Sequence, residues 1–369
     1  MRIERIEVFG YDLTYVHGSY VMSGGRVTTS LPSTVVRVLT DEGTDGWGEV
    51  CPLGTTYLPG FAGGARAALR EMAPALLGAD PCNLAVINEK MDWALLGHGY
   101  AKSALDIACW DVFGRATAQP VATLLGGIRQ ESYPLYIAVP LGPVEEMVRY
   151  VLARKAEGIH HFQLKLGADP QLDAERVARV VEATADEDIV IADANGGWRL
   201  QDAVVAARLM EGLPRTYFEQ PCRTLEECLY VRKRTTLPMI LDEVITDLQS
   251  LLRAMAHGGM EAINLKISRV GGLTKAKLIR DLAQQLGLKL TIEDTWGGDI
   301  TTAAISHLAA STQPESLFTV SFMNDWSKEH IAGHQPRSNN GIGRVPTGAG
   351  LGIDVDRSLL GEPIFSVEV

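Results

Sequence analysis

From about residue 133 onward, short runs of apolar, β-branched and aromatic residues alternate with longer segments whose apolar positions recur every three or four residues. The runs cover residues 133–139, 161–166, 189–194, 216–219, 239–242, 262–267, 289–293 and 317–322. Near-continuous apolar runs of that length predict parallel strands buried on both faces. The stretches between them, such as 173–183 and 273–285, have helical spacing and are long enough for one crossover helix each. Eight such units in about 200 residues predict an α/β fold closed as a (β/α)8-type barrel. An open doubly wound sheet shares the pattern, but the count favours closure.

The first 125 residues read differently. Residues 2–8 and 35–40 predict strands, Gly43-Thr44-Asp45-Gly46 a turn before Trp47, and 64–77 and 102–117 helices. That mixture predicts a separate α+β domain over residues 1–125, a barrel domain over 126–324, and a tail, 325–369, packing back on the first domain. Glycine and hydroxyl residues crowd positions 18–30, and so long a loop in a small domain is expected to be functional.

Composition narrows the function. With 46% hydrophobic and 21% charged residues, the 369-residue chain reads as globular. A net charge of −11 leaves nothing to neutralise a phosphate backbone, so no nucleic-acid partner is expected. No 18-residue apolar run and no secretory h-region occur, so no membrane association is expected. Five cysteines without a Cys-x-x-Cys pair predict free thiols in a reducing cytoplasm.

Ionisable residues recur where buried strands end: Lys165, Asp193, Glu219, Asp242, Lys266 and Asp294, at intervals of 28, 26, 23, 24 and 28 residues. One such group per strand, repeated at the strand period, converges on the C-terminal mouth of a barrel. Asp193, Glu219 and Asp242 offer oxygen ligands from three successive strands, which suits a hard cation: magnesium, with manganese fitting nearly as well. Lys165 and Lys266 lie four strands apart, on opposite sides of that mouth. A carboxylate substrate on the cation would lose its α-proton to one lysine, the enediolate would be stabilised by the metal, and the other lysine would return a proton. A neighbouring cation and burial are expected to lower at least one lysine's pKa.

The chain resembles the mandelate racemase/muconate lactonizing group of the enolase superfamily, in its muconate-lactonizing branch. The residues carrying this are Asp45-Gly46-Trp47-Gly48-Glu49, the run from Lys102 to Asp111 (Lys-Ser-Ala-Leu-Asp-Ile-Ala-Cys-Trp-Asp), and the strand-end set. The resemblance implies metal ligands at Asp193, Glu219 and Asp242, an acid/base pair at Lys165 and Lys266, and closure of the 18–30 loop over the substrate. It also implies self-association into a homo-oligomer. Many relatives read Lys-x-Lys on the second barrel strand, whereas Gln163 stands at the first of those positions here.

The segment Thr291-Ile292-Glu293-Asp294-Thr295-Trp296-Gly297-Gly298-Asp299-Ile300 resembles cis-3-hydroxy-L-proline dehydratases and hydroxyproline betaine 2-epimerases. This implies a small-molecule proline derivative as substrate, contacted by Gln163, Asn195, Asp294, Trp296, Ser23 and Tyr57. The eighth strand reads Val320-Ser321-Phe322, without the tryptophan of the epimerases, and a thinner aromatic cage favours a secondary amine over a quaternary ammonium. Dehydration is therefore the expected reaction, epimerisation the alternative, and a metal-binding barrel without catalysis a distant third. His330 and His334 have helical metal spacing but stand among loop residues, adjacent His160 and His161 point to opposite faces of a strand, and His307 is expected to be packed.

Overall fold

A computed structural model describes residues 1–369. β1 (Ile3–Thr14) pairs antiparallel with β4 (Ser30–Thr40) along almost its whole length. Between them the chain makes a small hairpin of β2 (Tyr20–Met22) and β3 (Arg26–Thr28). β5 (Asp45–Val50) adds to β4, so the turn expected over residues 43–46 ends earlier and its last two residues are already strand. Three helices follow: α1 (Ala62–Met72), α2 (Leu84–Ala94) and α3 (Gly99–Ala116).

The glycines that obscured β5 are there because of α3. A methyl group at Gly48 would lie 1.8 Å from the Ala104 carbonyl oxygen, and one at Gly46 would lie 2.3 Å from that of Ala108. Strand and helix therefore meet backbone to backbone, which no larger residue allows. From the other side, α3 carries acids into the rest of the chain. Asp106 accepts hydrogen bonds from the Thr274 amide (3.0 Å) and hydroxyl (2.6 Å), and Asp111 from the amides of Trp47 (3.0 Å) and Leu351 (2.7 Å).

After α4 (Val121–Leu124), the apolar run at 133–139 is split. Its first part, β6 (Ser132–Pro134), pairs outside the barrel, and only β7 (Tyr136–Val139) enters it. Strand and helix then alternate: α5 (Val144–Lys155), β8 (His161–Lys165), α6 (Pro170–Ala183), β9 (Ile189–Asp193), α7 (Leu200–Met210) and β10 (Thr216–Glu219). The second half runs α8 (Leu225–Arg232), β11 (Met239–Leu241), α9 (Leu248–Ala256), β12 (Ala262–Lys266), α10 (Ile267–Val270), α11 (Leu273–Gln285), β13 (Lys289–Glu293), α12 (Asp299–Ala310) and β14 (Leu317–Val320). The eight strands β7 to β14 are neighbours in chain order, with parallel ladders throughout, and a bridge between Leu135 and Val320 joins the two ends. A 3-10 turn at Met323–Trp326 follows β14 where an eighth helix would stand.

Inside the barrel, Ile191, Ile240, Ala262 and Phe318 form an apolar floor. Beyond it β15 (Ile342–Arg344) pairs with β6, and β16 (Phe365–Glu368) returns to pair antiparallel with β1. No helix is long and apolar enough to cross a membrane. All five cysteines are free thiols.

Candidate active site

Alternation along each strand decides what reaches the barrel axis. On β8, Phe162 and Leu164 join the apolar core while Gln163 and Lys165 face inward, and on β12 Asn264 and Lys266 do the same. Lys165 stands directly beside Asp193 in the β8–β9 register, and Lys266 beside Glu293 in the β12–β13 register. These side chains are more than nine-tenths buried, which is tolerable for charges only when they are paired.

The pairing is dense. Lys165 Nζ donates to Asp193 Oδ2 at 2.6 Å and to Gln163 Oε1 at 2.8 Å. Gln163 and Asn264 amides both donate to Glu219 Oε1, at 2.9 and 2.7 Å. On the opposite side, Lys266 Nζ donates to Asp242 Oδ2 at 2.8 Å, and Arg269 donates to Asp242 Oδ1 at 2.7 Å. Glu219 Oε2 is buried with no hydrogen-bond partner at all.

Charge follows from geometry. Burial, together with the facing carboxylates of Asp193 and Asp242, pushes Glu219 well above the ordinary carboxyl value. Burial also opposes the charge on Asp242, but Arg269 and Lys266 overcome it and hold that carboxyl well below its usual range. For Lys165, burial disfavours the ammonium, yet Asp193 and the acids around it raise its pKa well above the normal lysine value. Lys266 is raised in the same way, against burial, by Asp242 and Glu293. These directions belong to the protein alone, where each ammonium sits directly on a carboxylate and that attraction outweighs desolvation; the lowering expected from the sequence is for a site that also holds a cation.

Two capping segments cover the mouth. Ser23, between β2 and β3, packs on the loops after β8 and β9, where a methyl at Gly167 or Gly197 would meet its Cβ at 2.9 Å. Tyr57, from the loop after β5, donates its hydroxyl to Asp242 Oδ2 at 3.1 Å and accepts from Lys266 Nζ at 3.0 Å. The inner cavity beneath is about 20 Å³, room for a water molecule. An outer cavity of about 460 Å³ opens from Tyr57 past Arg26, Arg223 and Glu243.

The residues expected at the substrate divide between these spaces. Gln163, Asp294, Trp296 and Tyr57 line the inner cavity with both lysines, whereas Ser23 and Asn195 line the outer one with Tyr57. Asn195 has a left-handed backbone (φ 47°) that folds its amide and side chain back onto Asp193, at 2.8 and 2.9 Å. Asp294 spends its oxygens on the Ser268 hydroxyl and amide and on the Thr295 amide, and burial pushes its carboxyl up to about 6.

Three aromatic residues that line the inner cavity were not anticipated. Trp326, in the turn after β14, packs edge-on against Trp296 with ring centroids 5.7 Å apart. Tyr20 meets Trp296 at 5.4 Å, and Tyr136 meets Trp326 at 5.9 Å. The aromatic wall is thus not thin: Trp326, four residues beyond Phe322, supplies the ring that the eighth strand itself lacks. No periodic signal marks a tryptophan in a 3-10 turn, so its place came only with the fold.

The histidines stay away from this mouth. His330 and His334 stack on one another at 3.8 Å, but each pairs with a different carboxylate, Asp299 and Asp325. His160, Glu187 and Asp188 cluster closely enough to chelate, but before the starts of β8 and β9, at the opposite end of the barrel. Asp188 there is already held by Lys155 and His160. His307 is buried and accepts a hydrogen bond from the Ala122 amide at 3.1 Å.

A barrel whose mouth gathers three acids between two lysines under a two-segment cap defines a class: metal-assisted enzymes acting on carbon acids. Sequence comparison agrees. Residues 6–126 match the family "Mandelate racemase / muconate lactonizing enzyme, N-terminal domain", and residues 146–359 match "Enolase C-terminal domain-like". The chain is 46% identical over 364 residues to a cis-3-hydroxy-L-proline dehydratase of Roseibium aggregatum, covering 99% of each. It is 26% identical over 369 residues to an N-succinyl-L-Arg/Lys racemase of Bacillus cereus, covering 98% of each. A crystal structure of a mandelate racemase/muconate lactonizing enzyme from Roseovarius nubinhibens superposes with a TM-score of 0.96 at 38% identity, covering 100% of this chain and 99% of that one. A relative from the same organism, solved in complex with magnesium, gives 0.96 at 34% identity over the whole of both chains. The protein is an enzyme of the enolase superfamily and belongs to its mandelate racemase/muconate lactonizing family. Members of that superfamily abstract a proton α to a carboxylate with the help of magnesium.

Proposed function

We propose that the protein dehydrates cis-3-hydroxy-L-proline, with Asp193, Glu219 and Asp242 holding magnesium and Lys165 and Lys266 acting as an opposed acid/base pair. The observation that carries this is the placing of the two lysines four strands apart in an eight-stranded barrel, both lining one cavity. The three acids fit a hard cation: Glu219 Oε2 is buried without a partner, and the mutual repulsion of the acids favours added positive charge. When bound there, the cation supplies Lewis-acid charge at the substrate carboxylate, easing the negative charge that develops as the α-proton leaves.

The chain's own groups do the rest. In cis-3-hydroxy-L-proline the hydroxyl and carboxylate share one ring face, so the α-hydrogen lies on the other. One lysine removes that hydrogen, the Cα–H electron pair becomes the bond between C2 and C3, and the C3–O bond breaks. The opposite lysine delivers a proton to the departing hydroxyl, which leaves as water, and the ring becomes a pyrroline carboxylate. A ring larger than the water-sized cavity requires Lys165 and Lys266 to turn from their carboxylates and the capping segments to part. The dehydratase of Roseibium aggregatum, alike over its full length, supports the same substrate.

The aromatic wall of Trp296, Trp326, Tyr20 and Tyr136 favours one second reading, 2-epimerisation of proline or 4-hydroxyproline betaine, because such rings attract a quaternary ammonium. NMR of the magnesium-loaded enzyme in D2O with both 3-hydroxyprolines, 4-hydroxyproline, proline and their betaines separates the two. Appearance of a pyrroline carboxylate from the cis-3-hydroxy compound establishes dehydration. Deuterium at the α-carbon with the ring intact, and a second diastereomer growing in, establishes epimerisation. Silence across the panel discards both.

A further inference from the structure

We infer that Glu293 is the acceptor for the substrate's ring ammonium and so sets the enzyme's preference for an amine; this rests on the proline-derivative reading above. Glu293 ends β13, is about 1% exposed, and lines the inner cavity beside both lysines. Its two oxygens are not equivalent. Oε2 accepts a short hydrogen bond from the Tyr136 hydroxyl, which fixes the carboxylate, while Oε1 is buried with no hydrogen-bond partner. A buried carboxylate oxygen without a donor is costly, and a cavity-lining one is suited to a donor that arrives with the ligand.

Position selects which donor. Oε1 lies 3.6 Å from Lys266 Nζ. A lysine that exchanges a proton with the α-carbon approaches it to about 3–3.5 Å, and the ring nitrogen is only about 1.5 Å from that carbon. An acceptor beside the lysine is therefore within reach of the ring N–H. The other acids do not compete. Asp193, Glu219 and Asp242 face the cation position, Glu243 lines the outer cavity, and Asp294 has given its oxygens to Ser268 and Thr295. The same geometry disfavours a betaine, which fills the aromatic wall but has no N–H to give.

The test compares ligands that differ only at that ring atom, by calorimetry on the magnesium-loaded enzyme. The wild type is expected to bind L-proline at least tenfold more tightly than (S)-tetrahydrofuran-2-carboxylate and L-proline betaine, the usual scale for a hydrogen bond to a charged group. Glu293→Gln reduces that preference to less than threefold while magnesium still raises the melting temperature as in the wild type. Asp294→Asn leaves the preference within threefold of wild type. A wild type that binds the ether or the betaine as well as proline overturns the inference without any variant. So does a Glu293→Gln enzyme that keeps the preference, or loss of it in Asp294→Asn instead. Turnover of cis-3-hydroxy-L-proline, measured on the same samples, is a separate readout: an intact amine preference without dehydration sinks the proposed reaction and leaves Glu293 in place.

Discussion

Glu49 on the capping sheet holds the amide of Gly298 at the start of barrel helix α12, at 3.0 Å to Oε1 and 3.1 Å to Oε2. The same carboxylate accepts from the Thr301 amide at 3.0 Å and from the hydroxyls of Tyr11 and Ser33 at 2.6 and 2.7 Å. A helix leaves its first amides unpaired and favours negative charge beside them, so an acid from one sheet finishes a helix of the other. The loop it anchors carries Asp294, Thr295 and Trp296 into the inner cavity.

Replacing Glu49 by alanine should therefore destabilise the protein by about 3 kcal/mol, because several buried donors lose their acceptor together. Gly298→Ala should act at the same joint, since its methyl would fall 2.1 Å from the Tyr11 hydroxyl. Urea unfolding measures both. A loss below about 1 kcal/mol for Glu49→Ala would show that water replaces the carboxylate there.

Asp193→Asn should weaken magnesium binding by at least tenfold, as should Glu219→Gln, each removing charge from a set of only three ligands. Calorimetric titration reads this directly. Saturating magnesium should also raise the wild-type melting temperature, and a chelator should reverse it, because binding to the native state alone adds stability. Unchanged affinity in Asp193→Asn would remove it from the ligand set.

One buried histidine, His307, and one half-buried one, His161, should make the fold acid-sensitive far from the site. Burial lowers the pKa of both His161 and His307 from 6.5 to about 4. Between those values the unfolded chain binds the protons and the native chain does not. Stability is thus full above about pH 6.5 and falls as the pH drops towards 4, by about 3 kcal/mol for His307 and by less for half-buried His161, whose charge solvent partly screens. His307→Asn, which keeps an acceptor for the Ala122 amide, should flatten the dependence of the urea midpoint between pH 7 and 4.5. An equally steep profile in that variant would place the acid sensitivity elsewhere.

Eight barrel strands were legible because each is an apolar run, and the charged residues that close the six middle runs also placed Lys165, Asp193, Glu219, Asp242 and Lys266 at one mouth. What stayed hidden depends on contacts distant in sequence. The first two residues of β5, Asp45 and Gly46, read as part of a turn because Gly46 answers to α3 rather than to strand propensity. Residues 133–139 read as one strand, but Pro134 belongs to a separate ladder with β15. Trp326 reaches the site from a turn without periodicity, and Glu293 stands beside Asp294 in sequence, where only the fold shows which of the two has an oxygen to spare. Within the protein alone, the direction of the lysine pKa shifts is set by carboxylate distances of 2.6 and 2.8 Å, which no sequence displays.

The opposed lysines are tested most directly by following cis-3-hydroxy-L-proline by NMR with magnesium-loaded wild type, Lys165→Ala and Lys266→Ala enzymes in D2O. The wild type should convert it to a pyrroline carboxylate. Each variant should lose at least about a thousandfold in rate while still binding magnesium, the scale expected when a positioned acid or base is removed. Undiminished turnover in either variant would contradict the opposed-pair mechanism.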